Sequence, residues 1–192
     1  MKQHSHHSED HHSAAKKVAH LEHQRPETIS FEEVQQLLDL QPSDRVADLG
    51  AGTGFYAFPM ARVTREVLAI DVDQHMITYL NDKIAKLTID NLQPLHGSLL
   101  KLPIRDHSVD KVLASLSLHE VTPLPHALAE VYRVLKPNGQ FLCVEIKDDG
   151  QHAHNAPRIE QQELQQLLVD QGFTVTAKRS TSHKIYVLVA QR

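Results

Sequence analysis

From residue 28 onward the spacing of apolar positions switches repeatedly between two periods. In SFEEVQQLLDL, Phe31, Val34, Leu37 and Leu38 recur at three- and four-residue intervals, which predicts an amphipathic helix. Ser30 stands before that helix with Glu33 three residues on, the pattern of a capping box. QPSD turns the chain, and RVADLG at 45–50 is an apolar run of strand length. A helix over FYAFPMARVT follows, with Pro59 near its first turn, where a missing N–H costs least. EVLAIDV at 66–72 reads as a second strand, DQHMITYLNDKIAKL as a helix with Met76, Ile77, Leu80 and Ile84 on one side, and LQPLHGS as a short third strand. SVDKVLASLSL at 108–118 is a fourth strand, PHALAEVYRVL an amphipathic helix closed by a KPNG turn at 136–139, and GQFLCVEI a fifth strand. A last helix, IEQQELQQLLVDQGF, is stopped by Gly172, and TVTAKRS and KIYVLVAQ close the chain as an antiparallel hairpin. Strands alternating with helices predict an α/β fold whose mainly parallel sheet is covered on both faces.

Residues 1–25 break the pattern. Seven of the fifteen histidines fall there, interrupted by serines and acids, so the segment differs from a plain six-histidine tag. The expectation is a solvent-exposed tail over 1–25 ahead of one domain over 26–192, with a short helix over 14–25 as one reading. Imidazoles bind transition metals, so weak metal binding by the tail is open; the domain itself offers no metal site with helical HxxxH spacing.

Composition narrows the partners. The net charge is −4 and no basic block stands out, which argues against nucleic acid and for small molecules, with a monomer or homodimer expected. No apolar run approaches a membrane span and the first residues are polar, so neither membrane insertion nor a signal peptide is expected, and the cytoplasm is the default location. Cys143 is the single cysteine; no disulfide within the chain and no thiolate cluster can form, and its place in FLCVEI predicts a core residue.

Candidate chemistry centres on ADLGAGTG, between the first strand and its helix. Glycines let a ligand approach the main chain, and the helix start offers free N–H groups. The G-x-G-x-x-G spacing of a dinucleotide site fails, because Phe55 occupies the third glycine's place and the third glycine is Gly54. A Walker loop fails too, as no Gly-Lys-Ser/Thr follows. Asp71 ends the second strand, where a carboxylate can accept both hydroxyls of a ribose, whereas Asp73 suits a helix cap. Together these favour a nucleoside-bearing ligand.

VADLGAGTGFY, AIDVDQHM, LPIRDHSVDKVLASLSLHEV and LAEVYRVLKPNGQFLCVEI, in that order, resemble the landmarks of class I S-adenosylmethionine-dependent methyltransferases. The similarity runs over about residues 28–190 and is greatest to the small-molecule subfamily that includes the ubiquinone/menaquinone methyltransferases. It implies a Rossmann-like three-layer sandwich with a seven-stranded, mostly parallel sheet, the last strand antiparallel, and S-adenosyl-L-methionine as cofactor with a small-molecule methyl acceptor. It implies further that Asp48, Gly50, Ala51, Gly52, Thr53 and Gly54 wrap the methionine part, that Asp71 holds the ribose, and that Val72 and Met76 flank the adenine or sugar. Ser98 stands where the family often has an adenine-contacting aspartate, a weaker partner; Leu99 covers the ring, and Ser115, Leu116 and Ser117 lie under the sulfonium.

For catalysis, His119 follows the fourth strand and has a suitable ordinary pKa for a base, Glu145 ends the fifth strand and can orient substrate or a loop, and Tyr56 can line the transfer site. Each has a plainer role as cap, ion-pair partner or core residue. His152, His154 and Arg158 in the polar connection at 148–159 are further candidates for substrate selection. Two other functions remain open at this point: an NAD-dependent oxidoreductase, against which the glycine spacing and the lack of a Tyr-x-x-x-Lys pair count, and a non-catalytic cofactor- or metal-binding regulator.

Overall fold

The computed structural model describes residues 18–19, 28–147, 158–180 and 184–192. The histidine-rich segment thus lies outside the described residues except for 18–19, which are helical, and so do His152 and His154.

Seven strands form one sheet: β1 (Arg45–Leu49), β2 (Glu66–Asp71), β3 (Leu92–His96), β4 (Val109–Ser115), β5 (Leu135–Ile146), β6 (Thr174–Ser180) and β7 (Ile185–Gln191). Their spatial order is β3-β2-β1-β4-β5-β7-β6; only β7 runs antiparallel to its neighbours. The helices are α1 (Phe31–Leu37), α2 (Ala57–Ala61), α3 (Gln74–Leu87), α4 (Leu124–Val134) and α5 (Gln161–Asp170), with a 3-10 turn at Leu118–Glu120.

Alternate strand residues enter opposite cores, which is why the strands read as continuous apolar runs. Ala47, Leu49, Phe141, Cys143, Tyr186 and Leu188 join α4 and α5 on one face. Val46, Leu142, Val144, Val187 and Val189 join α1 and α2 on the other, together with Leu80 of α3. Three layers result, as the resemblance implied.

Local signals explain the ends of several elements. Ser30 and Glu33 form the reciprocal capping box of α1. Asp73 caps α3 by accepting from His75 N at 2.9 Å. Gly172, at φ 96°, ends α5. The FYAFPMARVT helix shrinks to five residues, because the chain from Gly52 to Tyr56 is turn rather than helix.

KPNG is not the turn expected between helix and strand: the helix ends at Val134 and the strand starts at Leu135. It lies inside β5: between two points of pairing β4 advances from Val109 to Lys111 while β5 advances from Leu135 to Gln140. The surplus residues bulge out, with Asn138 at φ 65°. A Cβ on Gly139 would lie 2.9 Å from Lys136 O and 3.0 Å from Asp110 O, so only glycine lets the chain rejoin β4 there.

The chain builds outward from β1 to β3, then returns to lay β4 on β1's free side. That reversal opens a crevice at the carboxyl ends of β1 and β4, the place where open α/β sheets bind ligands.

Candidate active site

Two cavities meet in this crevice. The larger, about 410 Å³, is lined by Asp71, Val72, Met76, Ser98 and Leu99. The smaller, about 250 Å³, is lined by Thr28, Asp48, Tyr56, Ser115, His119 and Ile146, together with Ala51 and Thr53. Gly50, Gly52, Leu116 and Glu120 belong to both walls.

The glycine loop is tied to β2. Gly50 N and Ala51 N both donate to Ile70 O, at 2.9 and 3.0 Å. Gly50, at φ 73°, packs so closely on the loop after β4 that a Cβ would sit 2.6 Å from Ser117 Cβ. Gly54 takes a different part from the one the resemblance implied. It lines neither cavity. A Cβ there would strike Phe58 Cε2 at 2.6 Å and Leu80 Cδ2 at 2.8 Å, so Gly54 is where the loop packs against α2 and α3. The close-packing function of a dinucleotide fingerprint's third glycine is thus filled one position early.

Asp71 is held from behind. Its Oδ2 accepts from Gly52 N and its Oδ1 from Asp73 N, both at 2.8 Å. Each oxygen keeps a further lone-pair direction, so the pair can accept two neighbouring hydroxyls. Met76, 1% exposed, and Leu99, 8% exposed, supply apolar walls to the same cavity, while Val72 stands out at 68%. Ser98 Oγ accepts from Leu100 N at 3.1 Å, which leaves its O–H free to be offered. A fixed diol acceptor, apolar walls for a flat base, one hydroxyl and a glycine loop leading to a second chamber fit an adenosyl group with an amino-acid extension.

In the smaller cavity three hydroxyls form a chain. Tyr56 OH donates to Ile29 O at 2.6 Å and lies 2.8 Å from Thr28 Oγ1, which is 3.3 Å from Ser115 Oγ. Tyr56 is 4% exposed and its proton is committed to that carbonyl. It forms a wall of the cavity, in the lining position expected of it. Ser117 donates to Leu49 O at 2.9 Å and braces the loop.

Glu145 lies at the end of β5 as expected and holds a loop, the second of the two roles considered for it. It is 1% exposed and lines neither cavity. Its Oε1 accepts from Leu118 N at 2.8 Å, and its Oε2 lies 2.7 Å from His119 Nδ1. Substrate does not reach this carboxylate; His119 stands between. Burial pushes the His119 pKa down, but the hydrogen bond and charge of Glu145, with help from Glu120, outweigh it, and the imidazole ends above its ordinary 6.5. Arg158 acts on His119 in the opposite sense. Cys143 is a core residue: it is fully buried and burial pushes its thiol up.

Thr28, a lining residue, carried no signal in the sequence: it is tied into the site by its hydroxyl, beside those of Tyr56 and Ser115. Among the described residues no cluster of three or more His, Cys, Asp or Glu is placed to hold a metal, and no helix is long and apolar enough to cross a membrane.

A family model described as a methyltransferase domain matches residues 47–143, just over half of the 192-residue chain. The chain is 28% identical over 116 residues to a demethylmenaquinone methyltransferase of Bacillus cytotoxicus, and 29% identical over 116 residues to one of Bacillus cereus. Each alignment covers 59% of this chain and 49% of the relative, so the chain spans about half the length of the curated relatives it matches. Among solved structures it is similar to a SAM dependent methyltransferase from Aquifex aeolicus, with a TM-score of 0.79 at 24% identity, covering 94% of this chain and 97% of that one. It is also similar to the cyclase SpnF, with a TM-score of 0.78 at 20% identity, covering 84% and 79%. At these identities the structures share the fold.

Proposed function

Because the chain belongs to the methyltransferase domain family, we propose that it transfers a methyl group from S-adenosyl-L-methionine to a small-molecule acceptor. The observation that carries this reading is the Asp71 carboxylate, held by Gly52 N and Asp73 N at the mouth of the larger cavity. When bound, the cofactor supplies an electrophilic methyl on a sulfonium. The chain's task is then to place an acceptor in line and keep water out. Asp71 would accept the ribose hydroxyls, Met76 and Leu99 would sandwich the base beside Ser98 and Val72, and Asp48, Gly50, Ala51, Gly52 and Thr53 would follow the amino-acid part toward Ser115. His119 would face the acceptor in the smaller cavity.

The relatives' names motivate quinols as the first acceptors to try, beside phenols, thiols and amines. The division into a tail over 1–25 and a domain over 26–192 belongs to the same proposal, as does a cytoplasmic location. The likeness to SpnF is a reason to identify products, since one fold hosts several reactions. Calorimetry with S-adenosylmethionine and S-adenosylhomocysteine tests the reading. Both are expected to bind, and Asp71→Asn to weaken both roughly 10- to 100-fold, the effect of losing charged hydrogen bonds. Absence of binding to the unaltered protein defeats the proposal.

A further inference from the structure

We infer that the methyl acceptor is a protic group, an O–H, N–H or S–H whose proton is taken by His119 Nε2, and that Glu145 is the positioning residue which sets His119 up for this. The inference rests on the methyl-transfer reading and adds the acceptor's chemical class.

With Glu145 ionised, its hydrogen bonds set the tautomer. One Glu145 oxygen accepts from the backbone of Leu118 and the other faces Nδ1 of the next residue. An ionised carboxylate offers only acceptors, so Nδ1 must carry its hydrogen and point it at Oε2. In the neutral ring the lone pair is then on Nε2. The ring forms part of the smaller cavity's wall, which shares Gly50, Gly52, Leu116 and Glu120 with the cofactor cavity. Glu145 holds both the main chain and the ring of the 3-10 turn, which orients the ring. A carboxylate buried to 1% exposure is costly to keep. One of its oxygens holds the main chain of Leu118 and the other the imidazole of His119. Tyr56, the other candidate on the wall, donates its hydrogen to Ile29 O and is not placed to receive one.

The charges facing His119 suit the task. Glu145 on β5 and Glu120 on the same turn favour the imidazolium, while Arg158, ahead of α5, and burial oppose it. The net effect is a pKa above 6.5, which makes the ring a stronger base than free histidine.

The step balances. Nε2 takes the acceptor's proton; the electron pair left on the acceptor atom forms the bond to the methyl carbon, and the pair of the broken carbon–sulfur bond stays on sulfur. The positive charge lost from the sulfonium is matched by one gained on His119, beside the Glu145 carboxylate.

The test uses the full chain, ¹⁵N-labelled on histidine, with His119 assigned by the signal missing in His119→Asn. Expected in the unaltered protein are an Nδ1–H tautomer at alkaline pH and a titration above 6.5, and in Glu145→Gln a titration moved to lower pH. With phenols, thiols and amines as acceptors, kcat/KM is expected to rise with pH through the His119 titration, to shift with it in Glu145→Gln, and to fall roughly 100-fold or more in His119→Asn. S-adenosylhomocysteine is expected to bind all three proteins with affinities within about twofold of one another, since neither His119 nor Glu145 is among the residues proposed to hold the cofactor. An Nε2–H tautomer in the unaltered protein, a His119 titration unmoved by Glu145→Gln, or undiminished turnover by His119→Asn overturns the inference. The tautomer is read in the unaltered protein and needs only His119→Asn for its assignment, so it decides even if Glu145→Gln does not fold. Loss of S-adenosylhomocysteine binding by the unaltered protein defeats the methyl-transfer reading instead.

Discussion

At the scale of single residues, Gly50 and Gly54 separate stability from binding. A methyl on Gly54 would meet Phe58 and Leu80 side chains at under 3 Å and would sit on a backbone at φ 81°. Gly54→Ala is expected to cost about 2–4 kcal/mol of stability, from the left-handed backbone and the overpacking together, read as a shift in urea midpoint. Cofactor affinity in the protein that remains folded should change little. Gly50→Ala, on the shared wall and 2.6 Å from Ser117 Cβ, should lower both. His119 adds a pH dependence. Its folded pKa is raised, so the stabilisation it brings is fully present below its unfolded value near 6.5 and is lost as pH rises through the folded value. Unfolding curves at about pH 5.5 and about pH 8.5 should therefore show Glu145→Gln losing more stability, relative to the unaltered protein, at the lower pH. Asp71 and the first two glycines were legible from spacing alone, because a turn and a strand end constrain residue type locally. The burial of Glu145 behind His119 was not, since it depends on which strand lies beside β4.

At the scale of elements, the segment between β3 and β4 carries Ser98 and Leu99 but has little regular structure of its own. It is clamped to α4 instead. Arg133 donates to Leu102 O at 3.2 Å and Ile104 O at 2.9 Å, and to Asp106 Oδ1 at 2.6 Å, while Glu130 accepts from Leu102 N at 2.7 Å and from Arg133 itself. Arg133→Ala is expected to cost about 2 kcal/mol, since it strips partners from two half-buried carbonyls and from Glu130. It should also weaken S-adenosylhomocysteine binding severalfold, although Arg133 touches neither cavity; calorimetry beside a denaturation curve checks both. The helices and their caps could be read from the chain because their signals lie within one turn. KPNG misled for a physical reason: a turn sequence looks the same whether it precedes a strand or bulges out of one, and only the pairing of β4 with β5 distinguishes the two. The closing hairpin was legible, but that β7 rather than β6 would join β5 rests on contacts far apart in sequence.

At the scale of the whole molecule, the crevice exists because the sheet is built in two directions from β1, and the two-sided burial that makes this possible was visible in the apolar runs. The histidine-rich segment stands apart from that logic. Deletion of residues 1–13, which carry five of its seven histidines, is expected to weaken retention on nickel while S-adenosylhomocysteine affinity stays within about twofold. The two chambers are different: Gly50, Gly52, Leu116 and Glu120 wall them both. A ligand in one chamber borders the other, and by thermodynamic reciprocity whatever factor it imposes on its neighbour's affinity is returned in full. A library screened for acceptors should consequently be run with S-adenosylhomocysteine at saturation. Fragments selected without it would be ranked against a partition that their true companion reshapes.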